Sequence, residues 1–224
     1  MSKGAPGENR ERRRAEIVQA SLELLEEGGI DKLSLRGVAQ KLGMHPPGMY
    51  WYISSKQELI DLLATAILAD AMGDVPASGA DETWDEWLTA LAIGTRKALL
   101  AHRDGARVVA GARLFRTDTV KPAFEKALEL LERAGFTADS AWVISVTVIT
   151  YAMGVALDDQ ASPQFPKGGK GPPPDSTWVD PERWPRLAAA SERHLRRAFA
   201  NPAAAADLRF RRGLALIIAG ARSG

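Results

Sequence analysis

The chain has 224 residues, 46% hydrophobic and 25% charged, with a formal net charge of +1. That is room for one large or two small domains with a sizeable core. It excludes a globally basic nucleic-acid binder, and the absence of cysteine excludes disulfides and thiolate metal sites. The opening segment is polar and charged, without the apolar region of a signal peptide. Lys3, Arg10, Arg12, Arg13 and Arg14 outnumber Glu8 and Glu11 there. Residues 1–14 read as a flexible basic arm, suited to phosphate contacts or simply solvated. Ile17, Ala20, Ser21, Leu24 and Leu25 then form the apolar stripe of a helix that Gly28-Gly29 ends. Ile30 and Leu33 can pack beneath it.

Residues 34–56, SLRGVAQKLGMHPPGMYWYISSK, carry the densest local signals. Ser34 can cap a helix by accepting from an orphan amide of its first turn. Leu35, Val38, Ala39 and Leu42 recur at helical spacing on one face. Gly43 can take a positive φ where that helix stops. Pro46 and Pro47 lack amide donors, so they fit the first turn of the next helix, where those donors are spare. Met49, Tyr50, Trp51 and Tyr52 ride on that short second helix. Helix, tight turn and exposed short helix make a helix-turn-helix, whose second member can lie in the DNA major groove. Three consecutive aromatics cannot all face one core, so at least one is exposed and one is mainly packing.

Farther on, the helical period continues. Leu59, Leu62, Leu63, Ala66 and Ile67 mark a helix to about Met72, followed by a loop over 73–83. Trp84, Trp87, Leu88, Leu91 and Leu99 mark the next, ending near His102. Val108, Val109 and Leu114 lie in a shorter helical piece. Phe124, Leu128, Leu131 and Ala134 form another, stopped by Gly135. Residues 138–157 are rich in β-branched types, but their length favours a buried helix over a strand. The proline- and glycine-rich segment 161–181 predicts a mobile loop. Helices follow over roughly 182–199 and 203–221. The apolar runs Trp142–Ile149 and Leu214–Ala219 are shorter than the ~20 residues of a membrane span. The fold class is therefore all-α, with about ten helices.

The segment EIVQASLELLEEGGIDKLSLRGVAQKLGMHPPGMYWYISSKQELIDLL closely resembles the DNA-binding end of tetracycline-repressor (TetR) family regulators. The shared features are the Gly-Gly-Ile break, the Leu-Ser-Leu-Arg helix start, the Ala-Gln-Lys-Leu-Gly turn, Tyr-Trp, and Lys56 ahead of a Leu-rich helix. TWDEWLTALAIGTRKALLAHRDGARVVAGAR, GVALDDQ and RFRRGLALIIAGAR resemble later helices of the tetracycline repressor subgroup. The resemblance spans most of the chain outside 161–185. It implies a helix-turn-helix domain over 15–59 and an effector-binding and dimerisation domain over 60–224. Arg36 matches an arginine that reaches a base edge, a task its donor fork suits at guanine. Lys56 matches the phosphate-binding lysine at the next helix start. Tyr50, Trp51 and Tyr52 can donate to phosphates. His45 suits a base edge or a solvated turn, and Pro47 and Gly48 complete the candidate surface. Pro46 and Gly48 stand where the subgroup has polar, base-reading residues, so operator preference should differ.

The subgroup's cavity holds a drug–magnesium chelate. On matching positions here stand Met72, Leu91, Thr95, Val109, Ala112 and Ala127, with Val109 and Ala112 in place of the histidine and threonine that serve magnesium. A hard cation needs oxygen ligands, and neither supplies a side-chain donor. Arg113 and Asp158 remain of the polar set. The expectation is a larger, drier cavity without metal or cofactor, lined also by Arg113, Trp142, Thr147 and Tyr151, with a preference for multi-ring compounds. The helices at 138–157 and 203–221 resemble the pair that builds the family's four-helix dimer interface, with Val143, Leu214, Ile217 and Ile218 as contacts. No catalytic constellation occurs. His102-Arg103-Asp104 lacks the asparagine of a kinase catalytic loop, since Val109 stands there. It reads as a helix-end turn. The resemblance thus implies a cytoplasmic homodimeric repressor with a duplex operator and a small-molecule effector as partners, and no membrane or enzymatic role. A ligand-independent regulator or activator is the alternative, and a helical enzyme with an apolar pocket a weaker one.

Overall fold

A computed structural model describes residues 6–73, 82–161 and 179–223, the side chains of 6, 70–73 and 193–199 excepted. The proposed loops at 73–83 and 161–181 lie mostly outside the described residues. Among the described residues there are helices and turns but no strand. The chain divides into two units, Met1–Gln160 and Ala161–Gly224.

The first unit begins with α1, Pro6–Gly28. Residues 6–14 are therefore helical rather than a flexible arm. Nothing after Gly7 breaks the helix, and Arg12 and Arg13 both pair with Glu16. α2 (Leu35–Lys41) and α3 (Pro46–Met49) follow. α4 is Lys56–Gly73 and α5 is Trp84–Ala101. α6 (Gly105–Ala110) is separated from the 3-10 turn η1 (Leu114–Arg116), so Leu114 does not continue the helix of Val108 and Val109. α7 is Lys121–Arg133, ended by Gly135 at φ 96°. α8 is Ala138–Ala161.

One apolar cluster runs without interruption through this unit. It takes Ile17 and Leu25 from α1, Val38 from α2, Met49 from α3, Leu59, Leu63 and Ile67 from α4, Leu99 from α5, and Val108 and Val109 from α6. Fully burying one such side chain contributes about 1.5–3 kcal/mol. The helix-turn-helix therefore shares its core with the helices behind it, and α4 belongs to both sides of the expected boundary at residue 60.

α8 extends well past Ile149. It is long and apolar enough to cross a bilayer by length and composition alone, which corrects the shorter span read from the sequence. One of its faces turns inward through Ala141, Ser145, Val148, Ala152 and Ala156. Another carries Val143, Thr147, Gly154 and Asp158, all exposed.

In the second unit α9 (Pro185–Ala200) and α10 (Pro202–Ser223) pack on each other. Phe210, Leu214 and Ile218, one helical turn apart, are buried in the single chain. Leu214 and Ile218, expected as dimer contacts, are therefore covered already within the single chain, and Ile217 is half-buried. Leu216 is the large apolar residue that α10 exposes most, at 76%.

Candidate DNA-binding surface and ligand cavity

Short-range bonds build the helix-turn-helix. The Ser34 hydroxyl accepts from the Gly37 amide at 3.1 Å. α2 closes with Met44 N donating to Ala39 O at 2.8 Å, while Gly43 takes φ 64°. That left-handed conformation costs a side-chain-bearing residue energy and glycine almost none. Pro46 occupies the first position of α3. Met49 and Ile53, four apart, are fully buried and hold the short helix down. α3 stops at Met49, shorter than the aromatic run suggested. The chain then continues as a turn in which Tyr52 N and Ile53 N both donate to Met49 O.

This phase sets the exposed face. Tyr50 is 59% and Trp51 81% exposed, and Arg36, His45, Pro47 and Lys56 are exposed as well. Tyr52 is the packed ring of the three, half-buried against the core, and Gly48 is half-buried. A Cβ on Gly48 would meet nothing within 4 Å. Neither Arg36 nor Lys56 forms an ion pair with a described residue, whereas Lys41 pairs with Glu23 and Glu27 of α1.

Two sets of bonds tie this surface to the rest of the unit. Glu58 accepts from the Ser54 amide and hydroxyl at 2.7 and 2.6 Å and from Arg14 of α1 at 2.6 Å. Ser55 in turn accepts from the Glu58 amide, which completes a capping arrangement at the start of α4. The second set is the turn His102-Arg103-Asp104. Asp104, at φ 54°, accepts from Ile30 N at 2.9 Å. Arg103 donates to the carbonyls of Glu26 and Glu27, and Arg107 pairs with Asp31. The kinase-like tripeptide is thus a clamp on the end of α1.

Behind α4 lies a cavity of about 140 Å³. Leu68, Leu91, Thr95, Val109, Leu114, Phe115, Val120, Ala123, Phe124, Val146, Ile149, Thr150 and Met153 line it. Thr95 is buried, and its hydroxyl makes no hydrogen bond to another described residue. Phe115 and Phe124 meet edge to face at 5.1 Å, and Trp142 joins them at 5.7 and 6.1 Å. Phe115 is half-exposed, so it has the cavity on one side and solvent on the other.

The profile described as "Bacterial regulatory proteins, tetR family" matches residues 17–63, and "Tetracyclin repressor-like, C-terminal domain" matches residues 75–223. The chain is 36% identical over 208 residues to the tetracycline repressor protein class A from transposon 1721 of Escherichia coli, covering 91% of this chain and 88% of that one. The chain belongs to the TetR family of bacterial regulatory proteins. Among solved structures, a possible TetR family transcriptional regulator from Streptomyces coelicolor A3(2) superposes with a TM-score of 0.76 at 32% identity, covering 94% of this chain and 98% of that one. A single-site variant of TetR from Acinetobacter baumannii AYE in complex with minocycline gives 0.67 at 30% identity, over 92% and 94%. This TetR-family chain is therefore a transcription regulator with a DNA-binding helix-turn-helix and a ligand-binding domain.

Of the cavity residues expected from sequence, this TetR-family regulator brings together Leu91, Thr95 and Val109. Thr147 and Tyr151 lie off the lining, because the face of α8 that meets the cavity is Val146, Ile149, Thr150 and Met153. One residue along a helix is a rotation of about 100°. Trp142 shares that face but stands beyond the cavity, against Phe115 and Phe124. Ala112 and Ala127 pack outside the lining, and Asp158 is exposed. The side chain of Met72 lies outside the described residues. The cavity is apolar, and it is small rather than enlarged.

Arg113 is the largest correction. Its guanidinium reaches Asp61 on α4 at 2.6 and 3.0 Å, and its amide donates to Asp61 at 2.9 Å. It cannot orient a ligand while so engaged. Gln57 adds bonds to Asp61 and to Gly111 O. Residues that sequence reasoning passed over include Glu58, Asp61 and Gln160. The capping spacing Ser55-x-x-Glu58 was a readable signal for Glu58. Gln160 donates to the carbonyls of Leu99 and His102 and accepts from Ala106 N. Nothing in its local sequence announces that role.

Burial pushes the Asp61 carboxyl up, but bonds from the Arg113 side chain and amide and from Gln57 outweigh it, so it titrates below its ordinary value. Glu58 behaves likewise through Ser54 and Arg14. A carboxylate with a lowered folded-state pKa contributes stability that is complete above its unfolded pKa, about 4. That stability is lost as pH falls through the lowered value. At neutral pH Asp61→Asn should cost about 1–3 kcal/mol. The difference in melting temperature between the variant and the unmutated chain should shrink below about pH 4. A gap that widens on acidification would contradict the pairing.

Proposed function

We propose that this regulator is a repressor that binds a palindromic operator as a homodimer and releases it when a small apolar or aromatic molecule occupies the cavity. One observation carries the link between ligand and DNA. The segment Val109–Arg116 forms a cavity wall through Val109, Leu114 and Phe115, and holds α4 through Gly111 and Arg113. α4 begins at Lys56, on the DNA-binding surface. A ligand that shifts this segment shifts the helix that carries the reading head. Release then follows from differential affinity for two arrangements. Two reading heads bind half-sites about one helical turn apart, and the DNA partner places the protein in the cytoplasm.

The cavity favours a metal-free ligand. Its lining side chains are apolar apart from Thr95 and Thr150. Magnesium demands near-octahedral oxygen ligands, and two threonine hydroxyls do not supply them. A void of 140 Å³ is also well below the roughly 300–1,000 Å³ of drug-sized sites. Selection from random duplexes should return an inverted repeat. A fused-ring aromatic should lower affinity for it equally with and without magnesium, and calorimetry should show weak tetracycline binding in both conditions. Tight, magnesium-dependent tetracycline binding would defeat the metal-free reading. Binding without sequence preference would defeat the operator reading.

A further inference from the structure

The size of the void and the position of Phe115 point to a ligand class, given that the cavity is the effector site. An engineered cavity of about 150 Å³ lined by Leu, Ile and Phe in another protein stays dry and takes benzene. The cavity here has a similar volume, about 140 Å³, and a similar lining. A one-ring molecule fits it as it stands, with the buried Thr95 hydroxyl to meet a single polar group. A larger molecule overfills it and presses on its open side, where Phe115 stands between the cavity and solvent.

The wall is not uniform in its freedom to move. Leu91 and Thr95 sit inside α5, and Val146, Ile149, Thr150 and Met153 sit inside α8. Phe115 lies on the short turn η1 and is 52% exposed, so it has somewhere to go. Moving it has a consequence, because η1 follows Arg113 directly. Arg116 N donates to Arg113 O at 2.9 Å, so the turn and Arg113 shift together. Arg113 in turn holds Asp61 of α4 by its guanidinium and its amide.

We infer that the regulator separates binding from release by ligand size. One-ring aromatics occupy the cavity silently and leave DNA bound. Fused-ring aromatics that exceed the void displace Phe115, pull Arg113 from Asp61 and release DNA. The effector class is then a neutral, multi-ring aromatic with one hydrogen-bonding group placed for Thr95. The cavity lining carries no charged side chain to reward a carboxylate or an amine.

The test uses the full chain, its selected duplex, and phenol, naphthol and a dihydroxyanthraquinone as probes. Binding is read by calorimetry and melting temperature, and release by fluorescence anisotropy of the duplex. Phenol should stabilise the protein while changing duplex affinity less than about twofold. The dihydroxyanthraquinone should weaken duplex affinity about tenfold or more, with naphthol between. Phe115→Ala removes the wedge, so the three-ring probe should still bind but lose most of its releasing effect. Phe115→Leu, which keeps bulk at the turn, should retain release. Phe115→Ala must melt cooperatively and bind the duplex without ligand; if it does not, the phenol-to-anthraquinone contrast in the unmutated chain decides. Release by phenol as strong as by the three-ring probe would overturn the size gate while leaving a ligand-responsive repressor intact. So would undiminished release from a folded Phe115→Ala. If none of the probes binds while the duplex does, the cavity is not the effector site, and both readings fall.

Discussion

Arg36→Ala should weaken operator binding by roughly 1–3 kcal/mol per half-site and relax the preference at one base pair in each. In a dimer that reads two half-sites the loss is doubled, to about thirtyfold to twenty-thousandfold in affinity. The argument is structural. Arg36 stands exposed in the first turn of α2, and it has no ion pair among the described residues. Its planar fork is free to donate twice to one guanine, a geometry that no lysine reproduces. Few rivals stand nearby. Pro46 and Gly48 offer no polar side-chain atom, so Arg36 should carry a large share of direct readout, with His45 beside it. Lys56 behaves differently, since a point charge at a phosphate reads no sequence. Lys56→Ala should weaken all duplexes alike and reduce the salt slope by about one. Binding-site selection on both variants checks the pair. Full discrimination by Arg36→Ala would show that base reading resides elsewhere.

Val143→Glu combined with Leu216→Glu should give a folded monomer that binds a single half-site. Losing the second half-site removes the effective-concentration advantage of linked binding, roughly a 10²–10⁴-fold drop in operator affinity. The choice of residues follows from exposure. Val143 is 53% exposed on α8 and Leu216 76% exposed on α10. A carboxylate there is solvated in a monomer but stranded in an apolar interface. Leu214→Glu or Ile218→Glu would instead bury a charge inside the single chain and unfold it. Sedimentation and anisotropy together separate these outcomes. A double variant that remains dimeric at full affinity would remove both helices from the interface. So would an unmutated chain that sediments as a monomer at micromolar concentration.

The sequence by itself determined the class of fold and the place of the reading head. Ser34 as cap, Gly43 at positive φ, and Pro46 at the first position of α3 are all as the residues implied. Those signals are local. A cap, a left-handed glycine and a missing amide each act within about one turn of chain, so a linear reading contains everything needed. The end of α7 at Gly135 was legible for the same reason.

Only the tertiary structure decided where side chains at a distance point. Arg113 and Asp61 are 52 residues apart, and neither residue's neighbours disclose the other. The lining face of α8 depends on its rotation against α5 and α7, and a helix apolar on nearly every side gives no periodic cue to that rotation. Leu214 and Leu216 belong to the same apolar run, yet one is buried and the other is the most exposed leucine of α10. The volume of the cavity came from the same source, because a void is set by how surrounding elements pack and not by the size of any one residue. Local chemistry writes backbone conformation into neighbouring residues, whereas ligand volume and ion-pair partners emerge only when distant segments meet.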